Sequence, residues 1–265
     1  MEVRKQKGRK MNIVAVNGIN LAYTRGGKGA PLMLLHGFPL DSSSWDELTP
    51  LLENDFDIIT PDLRGFGQST TIESPYTVSD MADDLAGLLD HLGIEKIAIA
   101  GHSMGGYIAL AFAKKYPDLV SGLGLISSQA AADAPEGKER RYKTAADVDE
   151  KGVGVVVEAM TPKLSANAKV QVFVRGVIEK QSKSAVIGAL KAMAEREDML
   201  IFLSKFALPL LLIHGDMDQL IPIDRAKEIK AAVPSAQIVE LKGAGHMPMM
   251  EFAKETAKGL KFFAG

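Results

Sequence analysis

The stretch Gly101-His102-Ser103-Met104-Gly105, followed at once by Gly106, constrains this chain more than any other. Before it, Lys96 to Ala100 contains a short apolar run of the kind a buried parallel strand shows. After it, Tyr107 to Tyr116 reads as a helix. A serine between a strand end and a helix start must adopt an unfavourable backbone dihedral, and flanking glycines remove the Cβ atoms that would clash there. Its Oγ then points off the top of a sheet, above the positive end of the following helix. Gly-x-Ser-x-Gly alone is a weak signal. The strand and helix around it are the context it needs, and the rest of the chain must supply a base, an acid and an oxyanion hole.

The chain supplies the sheet. Ile13 to Val16 and Ile19 to Tyr23 flank Asn17-Gly18, a hairpin turn signal, and Gly26, Gly27 and Gly29 are expected to end that hairpin. Pro31–Leu35, Phe56–Thr60, Leu119–Ile126, Leu208–Ile213 and Ala236–Leu241 are further strand candidates. Between them lie expected helices. Ser42 to Asn54 places Trp45, Leu48, Leu51 and Leu52 on a core face, and Val78 to Leu92 ends at Gly93 as C-cap. Pro222 to Val233 and Pro248 to Phe263 complete the set. Such alternation argues for an α/β fold with a mostly parallel sheet covered on both faces.

From Gln129 to about Lys205 the rhythm changes to helical text rich in alanine, lysine and glutamate, with no clear strand. The expected organisation is a core of residues 1–128 and 206–265 with a small helical lid inserted at 129–205. Charges at Glu136 to Arg141 and Glu195 to Asp198 are expected to form solvated faces. Apolar residues such as Val174, Ile187, Leu190 and Met193 would form the lid core. Met160 and Phe173 are candidates to line an acyl pocket.

Composition narrows the function classes. At 265 residues the chain fits one large domain with an insertion. Its net charge of −2 gives no reason to expect a nucleic-acid partner. It has no cysteine, which excludes disulfides, thiolate metal sites and a cysteine nucleophile, and fits a reducing cytoplasm. Met1 to Lys10 is basic and polar and reads as a frayed tail, with Met11 as a possible alternative start. No apolar segment of signal-peptide length follows, and no run approaches a membrane span.

Of five histidines, His246 is the candidate base. It sits in the loop Gly243-Ala244-Gly245-His246 after the last strand, on the sheet edge that carries Ser103. His102 is expected to pack beneath the serine turn, and His36, His91 and His214 read as structural or surface residues. Asp216 and Asp218 both follow the preceding strand, and alternation does not choose between them. The oxyanion hole needs two N–H donors, for which Met104 and Phe38 are the candidates.

Taken together, these residues resemble the α/β-hydrolase fold superfamily over essentially the whole chain. The matching motifs are His36-Gly37-Phe38-Pro39, Asp62 to Ser69, Gly101 to Gly106, Gly215-Asp216-Met217-Asp218 with Pro222, and Gly243 to His246. The resemblance places the triad acid at Asp218. Within the superfamily the chain looks similar to small carboxylesterases, enol-lactonases and cofactor-free haloperoxidases. This implies a cofactor-independent hydrolase with the triad Ser103, Asp218 and His246, no metal, and Phe38, Met104, Met160 and Phe173 at the substrate. The expected substrate is a small to medium, fairly apolar ester or lactone, because the lid text shows no obvious cationic cluster. The same triad could serve perhydrolysis or C–C bond hydrolysis, and a binding module with negligible turnover is the alternative outside enzymology. A serine at position 103 argues against dehalogenase and epoxide hydrolase chemistry, whose family members place an aspartate there.

Overall fold

The computed structural model describes residues 10–264. The frayed tail expected over Met1 to Lys10 therefore lies, apart from Lys10, outside the described residues. Eight strands form one sheet: β1 (Asn12–Val16), β2 (Ile19–Gly27), β3 (Ala30–Leu35), β4 (Phe56–Pro61), β5 (Ile97–His102), β6 (Val120–Ile126), β7 (Leu210–Gly215) and β8 (Gln237–Leu241). Their order in space is β1-β2-β4-β3-β5-β6-β7-β8. β2 runs antiparallel to β1 and β4, and the other neighbours are parallel. β5 and β7 are buried at every position, which is why their sequences are continuous apolar runs rather than alternating ones.

The chain leaves β3 toward one edge of the sheet and β5 toward the other, so the order reverses between these two strands. Loops that leave the carboxyl ends of strands at such a reversal open a crevice that no crossover covers. The loop holding Phe38 follows β3 and the turn holding Ser103 follows β5, so topology alone brings both to that crevice.

Helix α1 (Val78–Leu92) forms over the span its apolar spacing predicts. Thr77 and Asp80 make a reciprocal capping box at its start, and Gly93 closes it at φ 64°. Helix α2 (Met104–Lys115) begins at Met104, three residues earlier than its apolar pattern. Between β6 and β7 the described residues form helices only: α3 (Pro135–Lys151), α4 (Gly154–Leu164), α5 (Ala168–Ile178), α6 (Lys183–Ala194) and α7 (Leu200–Leu203). After β7 come α8 (Asp224–Ala232), α9 (Pro248–Glu251) and α10 (Ala253–Leu260). No helix among the described residues is long and apolar enough to cross a membrane.

Four expectations need correction. Ser42 to Asn54 is not a helix but two 3-10 turns, at Ser42–Trp45 and Thr49–Leu51. The Asp41 carboxylate takes the Ser43 N–H at 3.0 Å, and Pro50 has no N–H with which to continue a helical ladder. Trp45, Leu48 and Leu52 still reach the core, whereas Leu51 is exposed. Gly26 and Gly27 do not end the hairpin. β2 runs through them to pair with β4, and a Cβ at Gly27 would lie 2.2 Å from the Phe56 carbonyl. The closing helix breaks at Phe252 (φ −135°, ψ 52°), where the Thr256 hydroxyl donates to the Pro248 carbonyl at 2.9 Å.

Finally, Arg196 is no part of a solvated face. It is 7% exposed, lies 4.1 Å over the Tyr107 ring, and donates to the carbonyls of Met193 and Ala131 and to Asp133.

Candidate active site

Ser103 sits at φ 50°, ψ −114°, in a region that side chains with a Cβ rarely enter. Close packing holds it there. A Cβ on Gly101 would lie 2.1 Å from the Gly105 backbone, and one on Gly105 would lie 2.4 Å from the Leu35 carbonyl. The turn is further pinned by its own backbone. Ser103 donates its N–H to Ile126 at 2.9 Å, and its carbonyl accepts from the Ser128 hydroxyl at 2.8 Å. Ser103 does not use its hydroxyl to cap α2, which leaves the Oγ free at the sheet edge.

His246 and Asp218 are brought together across the loops that follow β8 and β7. His246 Nδ1 lies 2.7 Å from Asp218 Oδ2. The carboxylate can only accept, so Nδ1 carries the proton and Nε2 is left as the basic nitrogen. The other oxygen, Oδ1, accepts the N–H groups of Leu220 and Ile221, both at 2.9 Å. Burial pushes the Asp218 carboxyl up, but the facing His246 and these hydrogen bonds outweigh it and hold the group below its ordinary range. Asp216 is used elsewhere: its Oδ1 accepts the Gly243 N–H at 2.6 Å, bracing the loop that carries His246.

The main chain of His246 is held from two sides. His102 Nε2–H donates to its carbonyl at 2.7 Å, and its own N–H donates to the Leu164 carbonyl at the end of α4, 3.2 Å away. The rings of His102 and His246 pack with centroids 4.8 Å apart, which sets the imidazole against the residue preceding Ser103. Ser103 and His246 make no hydrogen bond to each other in this conformation.

Met104 is the first residue of α2, so its N–H has no intrahelical acceptor. The N–H of Phe38 has no acceptor among the described residues. His36 fixes the Phe38 loop: its Nε2 accepts the Leu63 N–H at 2.9 Å while Nδ1–H donates to Gly37 at 3.0 Å, tying the loop after β3 to that after β4. Burial holds His36, His102 and His214 below the ordinary imidazole value, so all three are neutral supports. His214 donates its Nε2–H to Ile221 at 2.7 Å, beneath Asp218.

Ser103 opens into a cavity of about 650 Å³ between the sheet edge and α3, α4 and α6. Phe38, Met160, Leu190 and Met193 give it apolar walls. Phe173 is not among the lining residues, because α5 packs against α4 and lies a layer further out. The Met104 side chain is buried and does not line it either. The cavity also contradicts the expectation that the helical insertion offers no cationic cluster. Arg140, Arg141 and Lys163 of α3 and α4 line it, joined by Arg225 of α8. Sequence reading missed these cations, along with Tyr107, Gln129 and the Leu164 carbonyl, because nothing local marks which face of an inserted helix meets the site. No group of three or more His, Asp or Glu side chains able to hold a metal ion exists among the described residues.

Comparison with known proteins agrees with this geometry. The sequence pattern of the family described as alpha/beta hydrolase fold matches residues 30–253. The chain is similar to a malate-bound thermophilic esterase from Thermogutta terrifontis, with 37% identity, a TM-score of 0.91, and coverage of 96% of this chain and 97% of that one. It is also similar to the enol-lactonase from Burkholderia xenovorans LB400, with 26% identity, a TM-score of 0.87, and coverage of 95% and 99%. Among curated sequences, Lipase 1 of Psychrobacter immobilis is 29% identical over 264 residues, covering 95% of this chain and 83% of the lipase.

Proposed function

Because the chain belongs to the alpha/beta hydrolase fold family, we propose that it hydrolyses carboxylic esters or lactones through an acyl-enzyme on Ser103. Ser103 Oγ attacks the substrate carbonyl while His246 Nε2 takes the hydroxyl proton. The N–H groups of Phe38 and Met104 receive the developing oxyanion. His246 then gives its proton to the leaving alcohol and takes one from the water that hydrolyses the acyl-enzyme. Asp218 holds the imidazole in the tautomer that leaves Nε2 basic and stabilises its charged form.

The observation that carries this reading is the 2.7 Å pairing of His246 with a buried carboxylate, one ring contact away from a serine in a strained turn. Apolar parts of the substrate would rest on Phe38, Met160 and Leu190. Residues 129–205 would act as the lid that shapes the pocket, and a cytoplasmic setting fits the absence of cysteine. The test is labelling with a fluorophosphonate. One label per chain, mapped to Ser103 by mass spectrometry and absent after Ser103→Ala, is the expected result. A protein that takes no label yet turns over an ester contradicts the scheme.

A further inference from the structure

We propose that the substrate carries, besides the reacting ester or lactone carbonyl, a free carboxylate that the cationic wall of the cavity holds. This deepens the proposed function and rests on Ser103 acting as the acyl acceptor. Two helices of the insertion build most of that wall. On α4, Val156, Ala159, Met160 and Lys163 stand three, four and seven positions apart, so one face supplies both an apolar strip and, at its end, an ammonium. On α3, Arg140 and Arg141 reach the same space, and Arg225 reaches it from α8.

The anions of the wall do not cancel these cations. Asp133 and Glu136 are the carboxylates lining the cavity, against four cations, in a chain whose net charge is −2. Asp133 is committed to two guanidinium groups, Arg141 within the cavity and Arg196 behind it, the latter at 2.8 Å. Glu136 lies in the first turn of α3, where the helix end already favours a negative charge. Arg225 shares its charge with Glu228 at 3.1 Å. Arg140 and Lys163 have no carboxylate partner among the described residues.

Two unpaired cations over an apolar pocket select for a molecule that is apolar where it meets Phe38 and Met160 and singly anionic where it meets Arg140 and Lys163. A guanidinium binds a carboxylate with two parallel hydrogen bonds, and an ammonium adds a point charge. Partial enclosure beneath the helices makes the attraction stronger than at an open surface. The carboxylate takes no part in the reaction; it orients the molecule.

The experiment compares kcat/KM within matched pairs on the full chain. Methyl hexanoate and the monomethyl ester of adipic acid differ by a carboxylate in place of the terminal methyl of the acyl part. Pentyl butanoate and the butanoate ester of δ-hydroxypentanoic acid differ in the same way in the alcohol part. In one pair or both, the carboxylate member should be favoured by roughly tenfold at low ionic strength. That preference should shrink between about 0.01 and 1 M salt, where the Debye length falls from about 30 Å to 3 Å. It should collapse in the double variant Arg140→Gln, Lys163→Gln. The ratio is read within one preparation, so a partly folded variant does not disturb it. Turnover of the neutral esters with no preference for either carboxylate member, or a preference that survives both salt and the double variant, overturns this inference and leaves the esterase reading standing. Turnover of none of the four overturns both.

Discussion

Asp218 and Asp216 stand two residues apart on one loop and serve different partners, the first bonded to His246 Nδ1 at 2.7 Å and the second to the Gly243 N–H at 2.6 Å. Only the first can fix the imidazole tautomer. Asp218→Asn would offer an amide N–H or a weaker acceptor and favour the wrong tautomer, so kcat on a p-nitrophenyl ester should fall on the order of 10³- to 10⁴-fold. Asp216→Asn keeps an oxygen for Gly243 and should cost less than about tenfold. Steady-state kinetics of the two variants decide the matter, and the reverse order would move the acid to Asp216.

The serine turn predicts a contrast between two glycines. A Cβ on Gly105 would meet the carbonyls of Leu35 and His36 at 2.4 and 2.7 Å, both rigid backbone. Gly105→Ala should cost about 1–3 kcal/mol of stability or more, because neither wall can yield. Gly176, inside α5, has nothing within 4 Å of the same added atom. There alanine should stabilise by about 0.5–1 kcal/mol. Urea unfolding of both variants checks the pair; equal effects would contradict this packing.

Stability should depend on pH through three buried imidazoles. His36, His102 and His214 are held below the ordinary value by burial. Below about pH 6.5 the unfolded chain binds protons at these sites and the folded chain does not. The stability they confer is therefore fully present above that pH and lost as pH falls toward each folded value. Each group contributes a slope of up to about 1.4 kcal/mol per pH unit. Urea titrations at a series of pH values from about 7 down to 5 should show the loss. A flat or rising stability over that range would mean that the imidazoles are charged in the fold.

Arg196 should matter to the fold and its neighbour Glu197 should not. Arg196→Met removes hydrogen bonds to Met193, Ala131 and Asp133 and the stack on Tyr107. It should cost about 3 kcal/mol, the scale for removing one partner of a buried ion pair. Glu197 makes an exposed pair with Lys114, and Glu197→Gln should change stability by less than about 0.5 kcal/mol. Denaturant midpoints of the two variants provide the check.

What could be read from the sequence follows the range of the forces involved. α1 was legible because its cap, its apolar spacing and Gly93 all act within a few residues. The serine turn was legible because the clashes that demand its glycines come mostly from the turn and the strand beside it. Ser42 to Asn54 misled because its core residues have helical spacing while Asp41 and Pro50 compete locally for the backbone. The tie between Asp216 and Asp218 could not be broken by alternation, since each finds an acceptor role on the same distant loop. Lys163 and Arg140 look like any surface cation in the text. Only the packing of α3 and α4 over the sheet edge turns them toward Ser103.

The central claim is that the Ser103 hydroxyl forms a covalent acyl-enzyme with the help of His246. It is tested most directly by measuring kcat/KM of Ser103→Ala on p-nitrophenyl butyrate, with folding confirmed by an unchanged denaturant midpoint. A loss on the order of 10⁴-fold or more is the predicted result. A folded variant that keeps activity within about tenfold of the parent would contradict it, because the loss of an essential nucleophile costs far more than that.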